Sequence, residues 1–343
     1  MTVRRNPQPQ ARNRALRNIP ERVPLGVVGL GLMGTSITTC LLAAGHPVSG
    51  VEPNRKRLRR VPQEVLNHLQ AMRAEGLLRG SPREIVRRLR VGGDISVLEG
   101  SELVVEAITE DVAAKKKVIR DLETKLSSTL IIGTNTSAIP VSILQQGAEH
   151  PERILGIHWA EPAHITRFME IVCGRHTDPK FAEQVRGLAQ QWGKEPSVLR
   201  RDIRGFITNR CFYALLREAF HLVESGYASI EDVDRSLRND LGYWITFAGP
   251  FRFMDLTGIP AYETVMQDLF PELNTRTTVP ALMRRVVNSG AKGTSNAKGF
   301  YKYSPQEAKR WEERFLKFTY DIRALALKYP DRSNNPKSDA RRR

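Results

Sequence analysis

The chain has 343 residues, 41% of them hydrophobic, with 53 Lys and Arg against 37 Asp and Glu and three cysteines. This length predicts about two domains with enough apolar material for packed cores, which excludes wholesale disorder, and no apolar run approaches the roughly 20 residues of a membrane span. Cys40, Cys173 and Cys211 are too scattered for a disulfide framework or a zinc cluster, and the N-terminus lacks the apolar stretch of a secretory signal, so we expect a soluble cytoplasmic chain with buried thiols.

The formal net charge is +16, and it is unevenly placed. Residues 1–22 hold six Arg against one Glu and are rich in Pro, Asn and Gln, and residues 331–343 hold five basic groups against two acidic ones. Neither segment has apolar periodicity, so both read as disordered basic tails. Solvated tails are the simpler account; weak attraction to anions, nucleic acid or a protein is the other. The N-terminal tail also overlaps with an organellar presequence, although its prolines leave no amphipathic helix.

The first regular element is the apolar run Pro24–Leu30, followed by Gly29-Leu30-Gly31-Leu32-Met33-Gly34 and a helical stretch to Gly45. A second strand, Pro47–Val51, ends in Glu52, eighteen residues beyond Gly34. In such a strand–turn–helix–strand unit the glycines let backbone approach a pyrophosphate at the helix N-terminus, and the acid binds the adenosine ribose hydroxyls. Glu52 would repel a 2′-phosphate, which favours NAD over NADP, while Arg55, Lys56 and Arg57 nearby moderate that preference.

Residues 54–90 carry eleven basic groups against three acidic ones. Val65, Leu66, Leu69 and Met72, then Leu77, Leu78, Ile85, Val86 and Leu89, have helical spacing around Gly76 and Gly80-Ser81-Pro82, so this is a basic helical hairpin. The alternation of elements continues through Asp94–Leu98, the strand Leu103–Ile108, a helix over Ala113–Lys125 and the strand Leu130–Thr134, which predicts a mostly parallel, doubly wound sheet. Ligands of such sheets bind at the strands' carboxyl ends, near Glu110 and Ser137. His158 ends the run Ile154–Ile157 and Glu170 lies in the next one, Phe168–Val172; strands joined by a turn at Pro162 would bring imidazole and carboxylate into contact. From Gly205 onward the pattern is helical: Phe206–Ser225, a capping signature at Ser229-Ile-Glu-Asp, and segments around 276–289 and 305–328.

These motifs together resemble the 3-hydroxyacyl-CoA dehydrogenase family: Gly29–Gly34, Val104-Val-Glu-Ala-Ile108 with Glu110 and Lys115, Thr134-Asn-Thr-Ser137 and Gly156-Ile-His158. Gly205-Phe-Ile-Thr-Asn-Arg210, Gly249-Pro-Phe251 with Asp255-Leu256, and Lys298-Gly-Phe-Tyr301 follow in the family's order, so the resemblance spans about residues 24–304. It implies a Rossmann-like NAD-binding domain over 23–202, with the hairpin inserted at 54–90, and an all-helical substrate and dimerisation domain over 203–330. It also implies NAD-dependent oxidation of a 3-hydroxyacyl-CoA or related 3-hydroxy acid by a homodimer, while the histidine spacing, the apolar runs and the placement of the charge predict no metal, no membrane and no nucleic-acid partner.

By the same resemblance His158 would be the acid/base and Glu170 its partner, with Ser137 and Asn209 hydrogen-bonding near the reacting oxygen. Gly29, Leu30, Gly31, Leu32, Met33, Gly34 and Glu52 would hold the ADP portion. Glu110, Lys115 and Ser137 would lie at the nicotinamide end, and the hairpin would occupy the place where the family touches coenzyme A. On residue type alone Ser137 is equally an N-cap and Asn209 a helix-surface group. His164 either faces substrate or sits in a solvated loop, and His46, His68, His150, His176 and His221 lack metal-ligand spacing.

The chain departs from the family where Asn-Pro commonly follows the histidine segment, having Trp159-Ala160-Glu161-Pro162 instead. A carboxylate there disfavours anionic ligands, so Glu161 is a candidate specificity residue that points toward a cationic or polyhydroxylated substrate, unless it faces outward. Readings with carnitine-like or sugar-acid substrates, or a non-catalytic NAD-binding protein, stay open. The aromatic stretch 239–248 either shapes a pocket wall or packs a core.

Overall fold

The structure, a computed structural model, describes residues 22–329; the expectations for the two basic termini lie outside them. The chain divides into two units, one comprising residues up to His164 with Phe168–Arg204, the other Ile165–Arg167 with the chain from Gly205 onward.

The first unit follows the alternation of the sequence. Strand β1 (Leu25–Val28) leads into helix α1 (Leu32–Ala43) and β2 (Val48–Val51), and the basic segment then forms α2 (Arg55–Leu58), α3 (Val61–Ala74) and α4 (Pro82–Val86). The side chain of Asn54 caps α2, accepting from the backbone N–H of Lys56 and Arg57. Val61, Val65, Leu69 and Met72 form the buried stripe of α3, so its polar face is left to solvent. Strand β3 (Leu89–Gly92) closes the hairpin.

The next apolar run, 94–98, is not a strand as the alternation suggested but a 3-10 turn. Asp94 accepts from the Ser96 N–H, and Ile95 and Leu98, three apart, are the residues it buries. Strand β4 (Leu103–Glu106), helix α5 (Val112–Lys125), β5 (Ile131–Thr134), the short α6 (Val141–Leu144), β6 (Ile154–Trp159), β7 (Phe168–Cys173), α7 (Pro179–Gln191) and β8 (Glu195–Leu199) complete the unit. The strand order is β3-β2-β1-β4-β5-β6-β7-β8. All pairings are parallel except β6 with β7, whose antiparallel register sets His158 opposite Glu170. This is the expected Rossmann-like doubly wound sheet, with strands β1, β4 and β5 buried throughout as a sheet covered on both faces requires.

His46, buried at the end of α1, marks how tightly this core is specified. Its Nδ1 lies 3.0 Å from the Val23 carbonyl, so it donates there, and its Nε2 accepts from the Trp192 indole N–H at 3.1 Å. Burial pushes the imidazole below its ordinary pKa, with the charges of Arg22 and Arg88 adding to that despite the Val23 bond. The unfolded chain therefore takes up this proton at a higher pH than the folded one. Stability from the neutral ring is present above about pH 6.5 and is lost as pH falls through the folded value. Thermal unfolding between pH 8 and pH 5.5 is expected to show a falling midpoint, less steep in His46→Gln; equal slopes would remove this account.

The second unit is helical, in α8 (Thr208–Glu224), α9 (Ile230–Asn239), α10 (Leu241–Trp244), α11 (Pro250–Thr257), α12 (Ile259–Leu269), α13 (Ala281–Asn288) and α14 (Pro305–Ala326). Ser229 caps α9 as its sequence indicated, and Ser304 with Glu307 forms a full capping box on α14. Among the described residues of this unit the extended pairing consists of isolated bridges at Gly293, Lys298 and Lys302. The aromatic stretch 239–248 packs differently from a core segment: Trp244 stacks on Phe253 at 4.0 Å, while Tyr243 is 80% exposed and Phe247 63%. No described helix is long and apolar enough to cross a membrane.

Candidate active site

The turn between β1 and α1 is built for close backbone approach. Gly29 has φ +86°, and a Cβ on Gly34 would lie 1.8 Å from the Gly29 carbonyl oxygen, so neither position accepts a side chain without rearrangement. Gly31 differs, because a Cβ there meets nothing within 4 Å. Its bareness serves no packing inside the protein and leaves open space at the start of α1, which no side chain caps. Leu32 is exposed at the mouth of the turn, Leu30 is buried beneath it and Met33 is half-buried.

Glu52 stands where the second strand ends, accepting from the Leu30 N–H at 3.3 Å and the Asn54 N–H at 2.9 Å. Arg57 braces the same turn from behind. Its guanidinium donates to the Leu30 carbonyl at 2.7 Å, the Thr35 hydroxyl at 2.9 Å and the Glu64 carboxylate at 2.6 Å. This cation is thus committed to the glycine loop and to α3, a positioning role that its sequence neighbourhood did not reveal. Open space at Gly31, a helix start and a ribose-height carboxylate fit an adenine dinucleotide.

At the ends of β4 and β5 the structure adds a residue that sequence reasoning passed over. Glu106 is fully buried and accepts from the Ile108 N–H, from Lys115 Nζ at 2.8 and 3.0 Å, and from the Thr134 hydroxyl at 2.6 Å. A charged residue inside the apolar run Leu103–Glu106 was the available signal. Lys115 is itself 0% exposed, so its ammonium does not present itself to a ligand; it reaches the site only through Glu110, whose Oε2 is 3.4 Å away.

Glu110 in turn holds the loop after β5, its Oε1 accepting from the Thr136 hydroxyl at 2.6 Å and from the Ser137 and Ala138 N–H groups at 3.0 and 3.2 Å. Burial alone would raise the Glu110 pKa, but the Thr136 hydrogen bond, the Lys115 charge and those two N–H groups outweigh it and hold the carboxyl below its usual range. Ser137 is exposed on this loop and caps no helix, since α6 starts from Pro140. Asn135 fastens the loop to β6 by accepting from the Trp159 N–H at 3.0 Å.

His158 and Glu170 form the centre of the site. Nδ1 of His158 lies 2.8 Å from Glu170 Oε2, with the histidine 7% and the glutamate 1% exposed. The ring packs edge-on against Phe168 at 5.4 Å. The carboxylate accepts a hydrogen bond from Nδ1–H, which fixes the tautomer and orientation of the ring. Asn209 belongs to the second unit, as the second residue of α8, just after Gly205 and Phe206, both at positive φ. Glu161 lies in the loop after β6 with its side chain reaching solvent, and partial burial pushes its carboxyl above the usual range.

Family models for the NAD-binding domain and the C-terminal domain of 3-hydroxyacyl-CoA dehydrogenase match residues 24–203 and 205–303. The chain belongs to the 3-hydroxyacyl-CoA dehydrogenase family. It is 30% identical over 83% of its length to 5-formyl-3-hydroxy-2-methylpyridine 4-carboxylate 5-dehydrogenase of Mesorhizobium japonicum, covering 92% of that protein. It is 28% identical over 81% of its length to a 3-hydroxybutyryl-CoA dehydrogenase of Mycobacterium tuberculosis, covering 98% of it. A crystal structure of the pyridine carboxylate dehydrogenase superposes with a TM-score of 0.83 over 90% of this chain and 99% of that one, at 28% identity. As a member of this family the protein is an NAD-dependent oxidoreductase acting on a 3-hydroxyacyl-CoA or a related 3-hydroxy acid. Among the described residues no three His, Cys, Asp or Glu side chains are grouped to hold a metal ion.

Proposed function

We propose that His158, with Glu170 behind it, is the general base that removes the hydroxyl proton of a 3-hydroxy substrate. The single observation that carries this is the buried 2.8 Å contact between Nδ1 and the carboxylate, on the paired strands β6 and β7 of the sheet that also carries the dinucleotide turn. NAD, when bound, accepts the hydride from the carbinol carbon. Nε2 of His158 takes the proton as the carbonyl forms, and the Glu170 carboxylate stabilises the resulting imidazolium. Ser137 donates a hydrogen bond near the reacting oxygen. Gly29 to Gly34 and Glu52 hold the ADP portion, and Glu110, supported by Lys115, orders the loop beside the nicotinamide.

The substrate reading we favour is a small 3-hydroxy acid without coenzyme A. Glu161, a carboxylate three residues from the base, supports it, as does the similarity to a dehydrogenase of a pyridine carboxylate. The basic residues exposed on the hairpin favour the second reading, a 3-hydroxyacyl-CoA. Exposed apolar side chains on α11 and α12, with Phe251 78% and Leu256 64% exposed, support a homodimer formed through the second unit. No disulfide joins Cys40, Cys173 or Cys211, which fits the cytoplasm.

NADH absorbance during incubation with NAD and a panel of free 3-hydroxy acids and 3-hydroxybutyryl-CoA tests the function. Turnover of a member of the panel is expected. NAD binding without oxidation of any of them would make the protein a non-catalytic NAD binder.

A further inference from the structure

On the face of the sheet opposite the dyad, a buried lysine holds the residue next to the histidine. His158 and Trp159 end β6 as neighbours, so their side chains point to opposite faces. In the register with β7, His158 lies opposite Glu170 and Trp159 opposite Met169. The Trp159 ring stacks on Trp192 at 5.5 Å with the planes 20° apart, and Trp192 is fixed in turn by its indole N–H, which donates to His46. The Trp159 backbone N–H donates to Asn135, on the loop that carries Ser137.

Lys194 closes this arrangement from the edge of the sheet. It directly precedes β8, which pairs with β7 through Phe168 opposite Glu195 and Glu170 opposite Ser197. From there its side chain crosses β7 to reach the loop after β6. The ammonium lies 4.9 Å from the centre of the Trp159 ring and donates to the Ala163 carbonyl. Lys194, Trp159 and Ala163 are all buried, so that carbonyl depends on a donor inside the protein, and the ammonium is not presented to a ligand.

One cation therefore ties three neighbouring strands at the end where the dyad forms. His158 stands on β6 and Glu170 on β7, and residues 160–167 join them, so the placement of the strand ends sets the contact between Nδ1 and the carboxylate. Without the ammonium the Ala163 carbonyl loses this donor and the Trp159 ring loses the cation on its face. Relaxing both moves the end of β6. A general base tolerates little such movement, because a misplacement of about 1 Å costs up to about 10²-fold in rate.

We propose that Lys194, acting through Trp159 and the Ala163 carbonyl, is a positioning residue that holds His158 in register with Glu170 for proton removal. This rests on the dehydrogenase reading and adds to it a residue enclosed within the protein. Arginine can keep both interactions, since its guanidinium donates and stacks on an aromatic face, whereas methionine of similar length keeps neither.

The test follows Lys194→Met, Lys194→Arg and Trp159→Leu in the full chain, with NAD and either 3-hydroxybutyrate or 3-hydroxybutyryl-CoA. Lys194→Met is expected to lose about tenfold to a hundredfold in kcat with the Kd for NAD unchanged, and Lys194→Arg to restore most of it. Trp159→Leu, which keeps the bond to Ala163, should give a smaller loss. In proton NMR spectra the downfield Nδ1–H resonance of His158, assigned by its absence in His158→Ala, should shift or broaden in Lys194→Met and return toward the parent position in Lys194→Arg. A residue that only stabilises the fold would lower the thermal midpoint and leave both kcat per folded site and that resonance where they are; this result overturns the proposal. So does a loss explained wholly by weaker NAD binding, or a Lys194→Arg variant as impaired as Lys194→Met. Should Lys194→Met not fold, parent-like kcat and resonance in Trp159→Leu overturn it instead. No NADH from the parent with either substrate overturns the dehydrogenase reading alone, and the resonance then decides the positioning.

Discussion

Replacing His158 by Ala is expected to lower kcat by about 10²–10⁴-fold, the usual worth of a positioned general base, with NAD binding unchanged. The ring is held by Glu170 at 2.8 Å and by the edge of Phe168, both on β7, four strands along the sheet from the β1 that leads into the dinucleotide turn. The variant thus removes the proton acceptor and leaves the cofactor cradle in place. Glu170→Gln should give a smaller loss, since an amide still bonds Nδ1 but no longer offsets the charge of the imidazolium. Single-turnover kinetics with NAD affinity measured in parallel separates the two effects. Unchanged turnover in His158→Ala, or a loss explained wholly by weaker NAD binding, would falsify the assignment.

Lys115→Met is expected to destabilise the first unit by about 3–5 kcal/mol, because it leaves the Glu106 carboxylate buried without its counter-charge. Both groups are fully enclosed, and Glu106 is also tied to the Ile108 N–H and the Thr134 hydroxyl, so it cannot swing out to water. Glu106→Gln with Lys115→Met should recover most of the loss, since the pair is then replaced by a neutral amide and an apolar chain of similar length. Urea unfolding of the full chain, followed through the transition of the first unit, measures both. A single variant as stable as the parent would overturn this account of the pair. The same variant frees Glu110 from its cation, and the loop that carries Ser137 should lose order with it.

How much of this was legible in advance depended on the range of the interaction. The dinucleotide turn was readable because its chemistry is local: the glycines, the helix start and the acid after β2 follow one another along the chain. The dyad was readable because His158 and Glu170 sit in adjacent apolar runs, and an antiparallel pair with its turn near Pro162 has few registers that keep both strands buried. Asp94–Leu98 misled for the opposite reason. Five residues are too few to distinguish a period of two from a period of three, and the Asp94 cap decided for the turn. Lys115 was assigned to a ligand by its motif, whereas its ammonium is enclosed between Glu106 and Glu110.

The sequence by itself therefore determined the doubly wound class, the NAD cofactor and the pairing of His158 with Glu170, all of which rest on patterns within a few dozen residues. It also located the positive charge, but not what that charge would do. Only the tertiary structure decided that Arg57 braces the glycine turn, that Glu106 and Lys115 neutralise each other inside the sheet, and that Ser36 reaches His164 across 128 positions. Those contacts join segments with no common periodicity, and a hydrogen bond between distant segments leaves no spacing to read. His164 shows the difference most directly: it was left between a substrate-facing and a solvated position in the chain, and its burial against Ser36 emerged only when α1 and the loop after β6 came together.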